Sequence, residues 1–193
     1  MKWKEKQMKN KKWLILIIIG ILLILSALSL QIYNYYVDER AGKESKEVVE
    51  KLHKELKETS ENKETIKIDG NEYIGIIEIP KLKLELPVMS DWSYKKMKIS
   101  PGLYYGDIST NDLVICAHSY KNLFRYIKDL NKEDLLIYTD MNGEKYLYQV
   151  EVIEILSPED IKEMIESEFD LTLFTCTDDN QDRVTVRFNK VVK

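Results

Sequence analysis

Near its C-terminal end the chain reads Leu171-Thr172-Leu173-Phe174-Thr175-Cys176, the stretch that constrains its architecture most. Its β-branched and aromatic residues predict a strand that ends at Cys176, where the polar segment 177–182 predicts a turn. A second predicted strand, 183–192, begins with Arg183 on the other side of that turn. A thiol and a guanidinium on neighbouring strand ends suit acyl transfer, because the thiolate attacks a carbonyl while the cation stabilises the oxygen that becomes negative.

A cysteine nucleophile needs a proton partner, and His118 is the candidate. The chain has two histidines, and the other, His53, lies in a charged segment where a solvated surface histidine is expected. His118 ends the apolar run 112–118, which predicts a central strand. A lone histidine at a strand end is often structural, but with one cysteine on another strand end it fits a thiol acyl-transfer enzyme. Arg187 competes with Arg183 for the cationic role, and Arg183 is favoured because it lies nearer the turn.

The chain has a second cysteine, Cys116, which lies two residues before His118. Side chains two residues apart on a strand share a face, so Cys116 could approach Cys176. A disulfide between them would then silence a thiol enzyme under oxidation. The simpler interpretation is a small, buried apolar side chain.

The region 66–193 has the pattern of a small β domain. Short β-rich runs alternate with turn signals, among which Asn142-Gly143 is a strong hairpin signal. The predicted strands are 73–79, 82–87, 112–118, 134–139, 145–156, 171–176 and 183–192. Short helices are expected over 122–130 and over about 157–168, with Ser157 as the N-cap of the second. Seven or eight strands with few helices predict a β-barrel or a sandwich.

The N-terminal part has a different composition. Residues 1–12 hold six lysines against one glutamate, and 13–33 form an apolar span long enough to cross a bilayer. Aromatic residues flank the span and positive charge precedes it, which predicts a single-pass anchor with the N-terminus inside and the remainder outside. A cleaved signal peptide is the alternative, with Ala27-Leu28-Ser29 as its cleavage site. Residues 34–65 are mostly charged or polar and predict a solvated helical stalk, although a helix packed on the domain would show the same narrow apolar stripe.

Composition argues against several classes of function. Net charge is −4, and the chain beyond its lysine-rich start is more acidic still, which argues against nucleic acid as a partner. The sequence has no glycine-rich phosphate loop, no CxxC pair and no zinc-spaced cluster. No cofactor is therefore expected. Asp107, Asp112 and Glu144 could contribute to a Ca²⁺ site, but scattered acids on an acidic domain are usually solvated surface.

Several ordered segments together resemble the sortases, the cysteine transpeptidases that attach proteins to bacterial cell walls. The segments are 79–82 with 86–88, 101–106, 113–118, 172–176 and 183–186. The resemblance implies an eight-stranded sortase β-barrel over 66–193, preceded by a type II membrane anchor. It also implies that Cys176 is the nucleophile, His118 the general acid and base, and Arg183 the oxyanion and substrate stabiliser.

The resemblance further implies cleavage of a Leu-Pro-x-Thr-Gly-like sorting signal on a surface protein. The acyl group would pass to an amine of peptidoglycan or pilin type outside a Gram-positive cell membrane. The chain lacks the Asp-Pro-aromatic lid motif of pilin-polymerising sortases, and Asp91-Trp92 lies too far downstream to serve, so Trp92 is interpreted as a packing residue. The segment 158–170 is short, which favours a class A- or D-like enzyme over class B or C. Ala117 and Ser119 depart from residues common beside the family's histidine, a difference that bears on substrate detail.

Three other functions are open on sequence grounds. An anchored extracellular adhesion or sensing domain would keep Cys176 as a structural residue and would have no catalytic activity. A papain-type peptidase is disfavoured because such a cysteine lies at a helix N-terminus. A thiol redox protein is disfavoured by the absence of CxxC.

Overall fold

The computed structural model describes residues 2–58 and 63–191, with side chains described from Trp13 onward. The chain divides into two compact units, Met1–Glu39 and Arg40–Lys193. The long helix α1 spans Lys2–Glu58. In the part of α1 that belongs to the first unit, the large apolar side chains of residues 13–32 are exposed, with exposed fractions between 47% at Ile19 and 72% at Trp13.

The apolar part of α1 has the length and composition of a membrane span. It is the one such helix in the described residues, and its most apolar window has a mean hydropathy of 2.9 with none of its surface buried. An exposed apolar surface of this length is expected of a segment surrounded by lipid. The finding agrees with the anchor predicted at 13–33.

Nine strands of the second unit form one sheet, and eight of them close into a barrel. The strands are β1 (Ile66–Ile68), β2 (Asn71–Ile79), β3 (Leu84–Met89), β4 (Gly102–Tyr105), β5 (Leu113–Cys116), β6 (Leu135–Asp140), β7 (Lys145–Leu156), β8 (Leu171–Cys176) and β9 (Arg183–Lys190). Their order is β1-β2-β3-β4-β5-β8-β9-β7-β6, and a further β2–β6 pairing closes the ring. Neighbours are antiparallel except β3–β4 and β5–β8, which are parallel. The eight-stranded barrel predicted above is confirmed.

The barrel closes where β2 meets β6, and a glycine makes that contact possible. A Cβ placed on Gly75 would come within 2.3 Å of the ring of Tyr138. The Tyr138 hydroxyl donates a hydrogen bond to the carbonyl of Ile74 at 2.8 Å. The ring therefore lies directly over the β2 backbone, where no residue with a side chain would fit without displacing it.

Alternate residues of the central strands point inward. Leu171 and Leu173 on β8, with Val184 and Val186 on β9, are buried in the barrel core. The opposite face of the same strands is therefore directed outward. This outward face is the one that carries Cys176.

Some predicted elements differ in extent. The strand predicted to end at Pro87 continues to Met89, because β3 pairs with β4 only at Met89 and Pro87 therefore has a strand partner on one side only. The predicted helix 157–168 is limited to α2 (Ile161–Ile165), and Ser157 is not its N-cap, since Asp160 has that position and accepts a hydrogen bond from the Ser157 amide at 2.9 Å. The predicted helix 122–130 is a series of turns with one 3₁₀ turn, Ile127–Asp129.

The solvated stalk predicted at 34–65 is wrong for the part of α1 that belongs to the second unit. Val48, Val49 and Leu52 are buried in a cluster with Tyr73 and Ile76 of β2. The structure has the packed helix that was considered as an alternative, because these three apolar side chains share one helical face and pack against β2. Residues 59–62 lie outside the described residues.

His53 lies at the surface, as predicted, but it is only partly exposed and has a partner. Its Nε2 lies 2.6 Å from a carboxylate oxygen of Glu85. Both side chains are 45% exposed, so the contact remains at the surface.

Candidate active site

Strand register brings the predicted site residues to one outward face of the sheet. Cys176 is paired with Arg183 across the β8–β9 hairpin. Cys116 is paired with Phe174 across the parallel β5–β8 contact. Paired residues project to the same side of a sheet, and so do residues two apart on a strand. Cys116, Phe174, Cys176 and Arg183 therefore share a face, and His118 follows Cys116 by two residues.

The two threonines of the 171–176 stretch hold this face together. Thr175 is buried, and its hydroxyl donates to the carbonyl of Ala117 at 2.8 Å. The Ala117 amide in turn donates to the carbonyl of Phe174 at 3.3 Å. These bonds join the residue before His118 to the residue before Cys176, although they are far apart in sequence. Thr172 accepts a hydrogen bond from Arg187 at 3.0 Å.

His118 is held from two sides. Its Nε2 lies 3.3 Å from the carbonyl oxygen of Tyr94, and its ring stacks on Tyr120 with centroids 5.2 Å apart and 21° between the planes. A carbonyl can only accept, so Nε2 carries a proton and Nδ1 is the basic nitrogen of the neutral ring. Burial lowers the pKa of His118 below its ordinary value, the Tyr94 carbonyl opposes that effect, and the Lys98 cation adds to it.

A cleft of about 220 Å³ opens over these residues. Cys116, His118, Cys176 and Arg183 line it, with an aromatic wall on one side. In that wall Trp92 contacts Tyr104 with centroids 5.5 Å apart, and Tyr104 meets Phe174 edge-on at 5.0 Å. The remaining lining residues are Tyr94, Met97, Ala117, Pro158 and Thr175.

The two arginines predicted to compete for one role occupy different environments. Arg183 is half-buried at the cleft, and its Nη1 donates to the carbonyl of Asp182 at 3.0 Å. Arg187 is only 2% exposed and pairs with Glu154 at 2.9 Å. Its guanidinium also donates to the carbonyls of Glu163 and Met164. The guanidinium of Arg187 is thus committed to the protein interior, whereas Arg183 lines the cleft.

The two cysteines differ in burial, and neither is in a disulfide. Cys116 is 1% exposed, and burial followed by the nearby Cys176 raises the pKa of its thiol to about 12. Cys176 is half-buried at the cleft. Since the thiolate is the reactive form, Cys116 is the inert thiol of the two at neutral pH.

Two of the three acids considered for Ca²⁺, Asp107 and Asp112, accept hydrogen bonds from their own turns. The Asp107 carboxylate accepts from the Ser109 hydroxyl at 2.6 Å, a bond that lowers the pKa of Asp107. The Asp112 carboxylate accepts from the Asp107 amide at 2.9 Å. Over residues 13–58 and 63–191 no group of three or more His, Cys, Asp or Glu side chains could hold a metal ion.

Sequence reasoning missed the contributions of Tyr94 and Trp92 to this site. Trp92 packs, as predicted, but it also forms part of the cleft wall. The clustering of Trp92, Tyr94, Tyr104 and Tyr105 was the available signal for an aromatic wall. The Tyr94 contact is made by its main-chain carbonyl, which no side-chain pattern reveals.

The chain is similar to known proteins over this barrel. A family model described as a sortase domain matches residues 77–191. Sortase A from Corynebacterium diphtheriae superimposes with a TM-score of 0.56 at 28% identity, over 64% of this chain and 62% of that chain. Sortase C1 from Streptococcus agalactiae gives a TM-score of 0.56 at 28% identity, over 68% of this chain and 73% of that chain.

A third structure, a Clostridium perfringens sortase D5 transpeptidase, shares the fold at 22% identity, with a TM-score of 0.58 over 81% of this chain and 99% of that chain. The chain spans less than two thirds of the length of the Corynebacterium structure. No curated protein matches the chain.

Proposed function

This chain belongs to the sortase family, and we propose that it is a membrane-anchored cysteine transpeptidase. It cleaves a Leu-Pro-x-Thr-Gly-like sorting signal and transfers the resulting acyl group to an amine. One observation carries the proposal. Cys176 and Arg183 face each other across a hairpin, and His118 lines the same cleft of about 220 Å³.

In the first half-reaction the Cys176 thiolate attacks the carbonyl carbon of the sorting-signal threonine or its equivalent. The carbonyl oxygen becomes negative, and the Arg183 guanidinium stabilises it. The basic nitrogen of His118 takes the proton that leaves the Cys176 thiol and donates that proton to the leaving amine, so that the peptide bond breaks and a thioester to Cys176 remains.

In the second half-reaction an amine attacks the thioester. His118 accepts a proton from that amine, the new amide bond forms, and Cys176 leaves as a thiolate. The neutral imidazole is suited to this step, since burial lowers the pKa of His118 and keeps its basic nitrogen free at neutral pH.

The proposed partners are surface proteins that carry the sorting signal and an amine acceptor of peptidoglycan or pilin type. The segment between β7 and β8 contains only the five-residue helix α2, which supports a class A- or D-like enzyme. The proposed orientation is type II, with the barrel outside the membrane, because the lysines precede the apolar part of α1.

The test is intact mass spectrometry of the full chain in detergent micelles with a library of Leu-Pro-x-Thr-Gly-like peptides. Wild type should gain the mass of the acyl fragment, and an added amine should release it. Cys176→Ala should show neither event, because it lacks the attacking sulfur. A folded wild type that forms no adduct and no cleavage product across the library, with and without Ca²⁺, would favour a non-enzymatic binding domain.

A further inference from the structure

We propose that Gly42 and Ser45 of α1 are positioning residues for His118. Each contacts one of two loops that hold the imidazole, namely loop 91–100, which carries Tyr94, and loop 118–126, which follows His118. The inference rests on the proposed function for its catalytic consequence. Its structural content, that α1 sets the orientation of His118, can be measured independently of any substrate.

Ser45 holds loop 91–100. It is 1% exposed, and its hydroxyl donates to the carbonyl of Ile99 at 2.7 Å. The Ile99 amide donates to the carbonyl of Lys96 at 2.8 Å, and the Met97 amide donates to the carbonyl of Ser93 at 2.9 Å. The loop is therefore a chain of consecutive turns with one end fixed to α1. Tyr94 lies within that chain of turns, and its carbonyl accepts the His118 Nε2 hydrogen bond.

Gly42 allows loop 118–126 to approach α1. A Cβ at this position would lie 2.6 Å from Cβ and 2.7 Å from Cγ of Asn122. These atoms are the base of the Asn122 side chain, so a rotation of its tip would not relieve the overlap. The loop backbone would have to move, since Cβ atoms essentially never approach this closely.

A movement at Asn122 would reach His118 through short connections. The amides of Tyr120 and Phe124 both donate to the carbonyl of His118, at 2.8 and 3.4 Å. The Leu123 amide donates to the Tyr120 carbonyl at 3.0 Å, and the Tyr120 ring stacks on the imidazole. Asn122 thus lies inside a compact turn that begins at the catalytic candidate itself.

Both contacts control the same property, which is the neutral tautomer of His118. The Tyr94 carbonyl keeps the proton on Nε2, and the Tyr120 stack sets the ring plane. The Lys98 cation also acts on the ring, and the other titratable groups that line its cleft are Tyr94, Tyr104, Cys116, Cys176 and Arg183. Displacing either loop should redistribute the proton between the two ring nitrogens and misalign the basic nitrogen.

The experiment compares Gly42→Ala and Ser45→Ala with matched substitutions elsewhere in α1. Gly20→Ala is the glycine control, since nothing lies within 4 Å of a Cβ at that position. Ser29→Ala is the serine control, since its hydroxyl bonds only to the carbonyl of Leu25 in its own helix. All are full-length chains in detergent micelles, labelled with ¹⁵N-histidine. A His53→Gln chain assigns the two histidines.

We expect nitrogen NMR to show excess Nε2–H tautomer for His118 in wild type and in both controls, and a reduced excess in Gly42→Ala and Ser45→Ala. In the transfer assay kcat should fall about ten- to a hundredfold in these two variants, as for small misplacements of a catalytic group. The KM for the sorting peptide should change less than about twofold, because the substrate contacts remain.

Unchanged His118 nitrogen shifts in both variants would overturn the proposal, and so would lower thermal stability without a tautomer change. If Gly42→Ala fails to fold, the His118 tautomer measured in Ser45→Ala decides the proposal by itself. A wild type that transfers no acyl group would defeat the proposed function, and the NMR comparison would still decide whether α1 positions His118.

Discussion

Arg183 and Arg187 project from the same face of β9, but their surroundings differ. Arg183 lines the cleft opposite Cys176, whereas Arg187 is buried against Glu154 and two main-chain carbonyls. A cation that stabilises a transient oxyanion has to remain available to the substrate. A cation that satisfies buried oxygen atoms contributes to the folded state at all times.

We predict opposite phenotypes for the two alanine substitutions. Arg183→Ala should lower acyl transfer about 10²- to 10³-fold, the usual cost of removing one oxyanion donor, with little change in thermal stability. Arg187→Ala should destabilise the fold by roughly 3 kcal/mol, because it leaves buried acceptors without a partner. Transfer kinetics and chemical denaturation of both variants check this. Similar stability losses in the two variants would contradict the assignment.

The environment of His118 also predicts how stability depends on pH. Its folded-state pKa is depressed, first by burial and then by Lys98, with the Tyr94 bond opposing. The unfolded chain therefore binds a proton more readily than the folded one between those two pKa values. The contribution of the neutral ring to stability is full above the unfolded pKa of about 6.5, and it is lost as pH falls through the folded pKa.

His118→Gln should therefore flatten the loss of stability as pH falls below about 6.5. Glutamine keeps a side-chain amide of similar reach but does not titrate. Melting temperatures of wild type and variant, measured over that range, give the two slopes. Identical slopes would show that the ring titrates alike in the folded and unfolded chains.

At the scale of elements, sequence prediction was accurate where the signals lie within a few residues of each other, and it failed where they come from distant segments. β7 was predicted over its full length because alternation and the Asn142-Gly143 turn are both local. The end of α2 was predicted wrongly. Arg187, on the distant strand β9, donates hydrogen bonds to the carbonyls of Glu163 and Met164, which a longer helix would use for its own hydrogen bonds. Long-range side-chain contacts of this kind override local helix propensity.

The candidate site divides in the same way. Strand ends and the hairpin brought Cys176 and Arg183 together from the sequence pattern alone. The pairing of β5 with β8 brings His118 to the same site. That pairing is a parallel contact between strands far apart in sequence, and no local sequence pattern predicts it. Main-chain groups such as the Tyr94 carbonyl are the same for every residue type, so their part in the site was invisible until the fold was known.

The packing of α1 yields a prediction about its contribution to the barrel. Leu52→Ala should destabilise the second unit by about 3 kcal/mol, because Leu52 is fully buried. Leu22→Ala is the matched control, since Leu22 is 59% exposed in the apolar part of the same helix. Denaturant titration of both full-length chains in micelles measures the difference. Equal stabilities would mean that the helix dissociates from the barrel in solution.

At the scale of the whole molecule, the chain joins an apolar helical segment to an acidic barrel domain. The apolar segment is long enough to span a bilayer, and the lysines before it predict the inner side. The predicted barrel location is therefore outside the cell, where secreted proteins carrying a sorting signal would pass.

Protease added to intact cells should digest the barrel and leave the N-terminal lysine segment protected. The membrane blocks access to the inner side, so an epitope tag at residue 1 should survive while one at residue 193 is lost. Alkaline washing should leave the chain in the membrane fraction. A mature protein that begins near Leu30 would instead identify a cleaved signal peptide.

Gly75 affects the risk of aggregation through free strand edges, a hazard common to β proteins. A sheet that closes on itself leaves no strand edge free to recruit another chain. A methyl group at position 75 would push Tyr138 away and separate β2 from β6, which exposes two edges at once. The first symptom of Gly75→Ala should therefore be self-association into insoluble aggregates, with a cleft still able to form in the molecules that remain soluble.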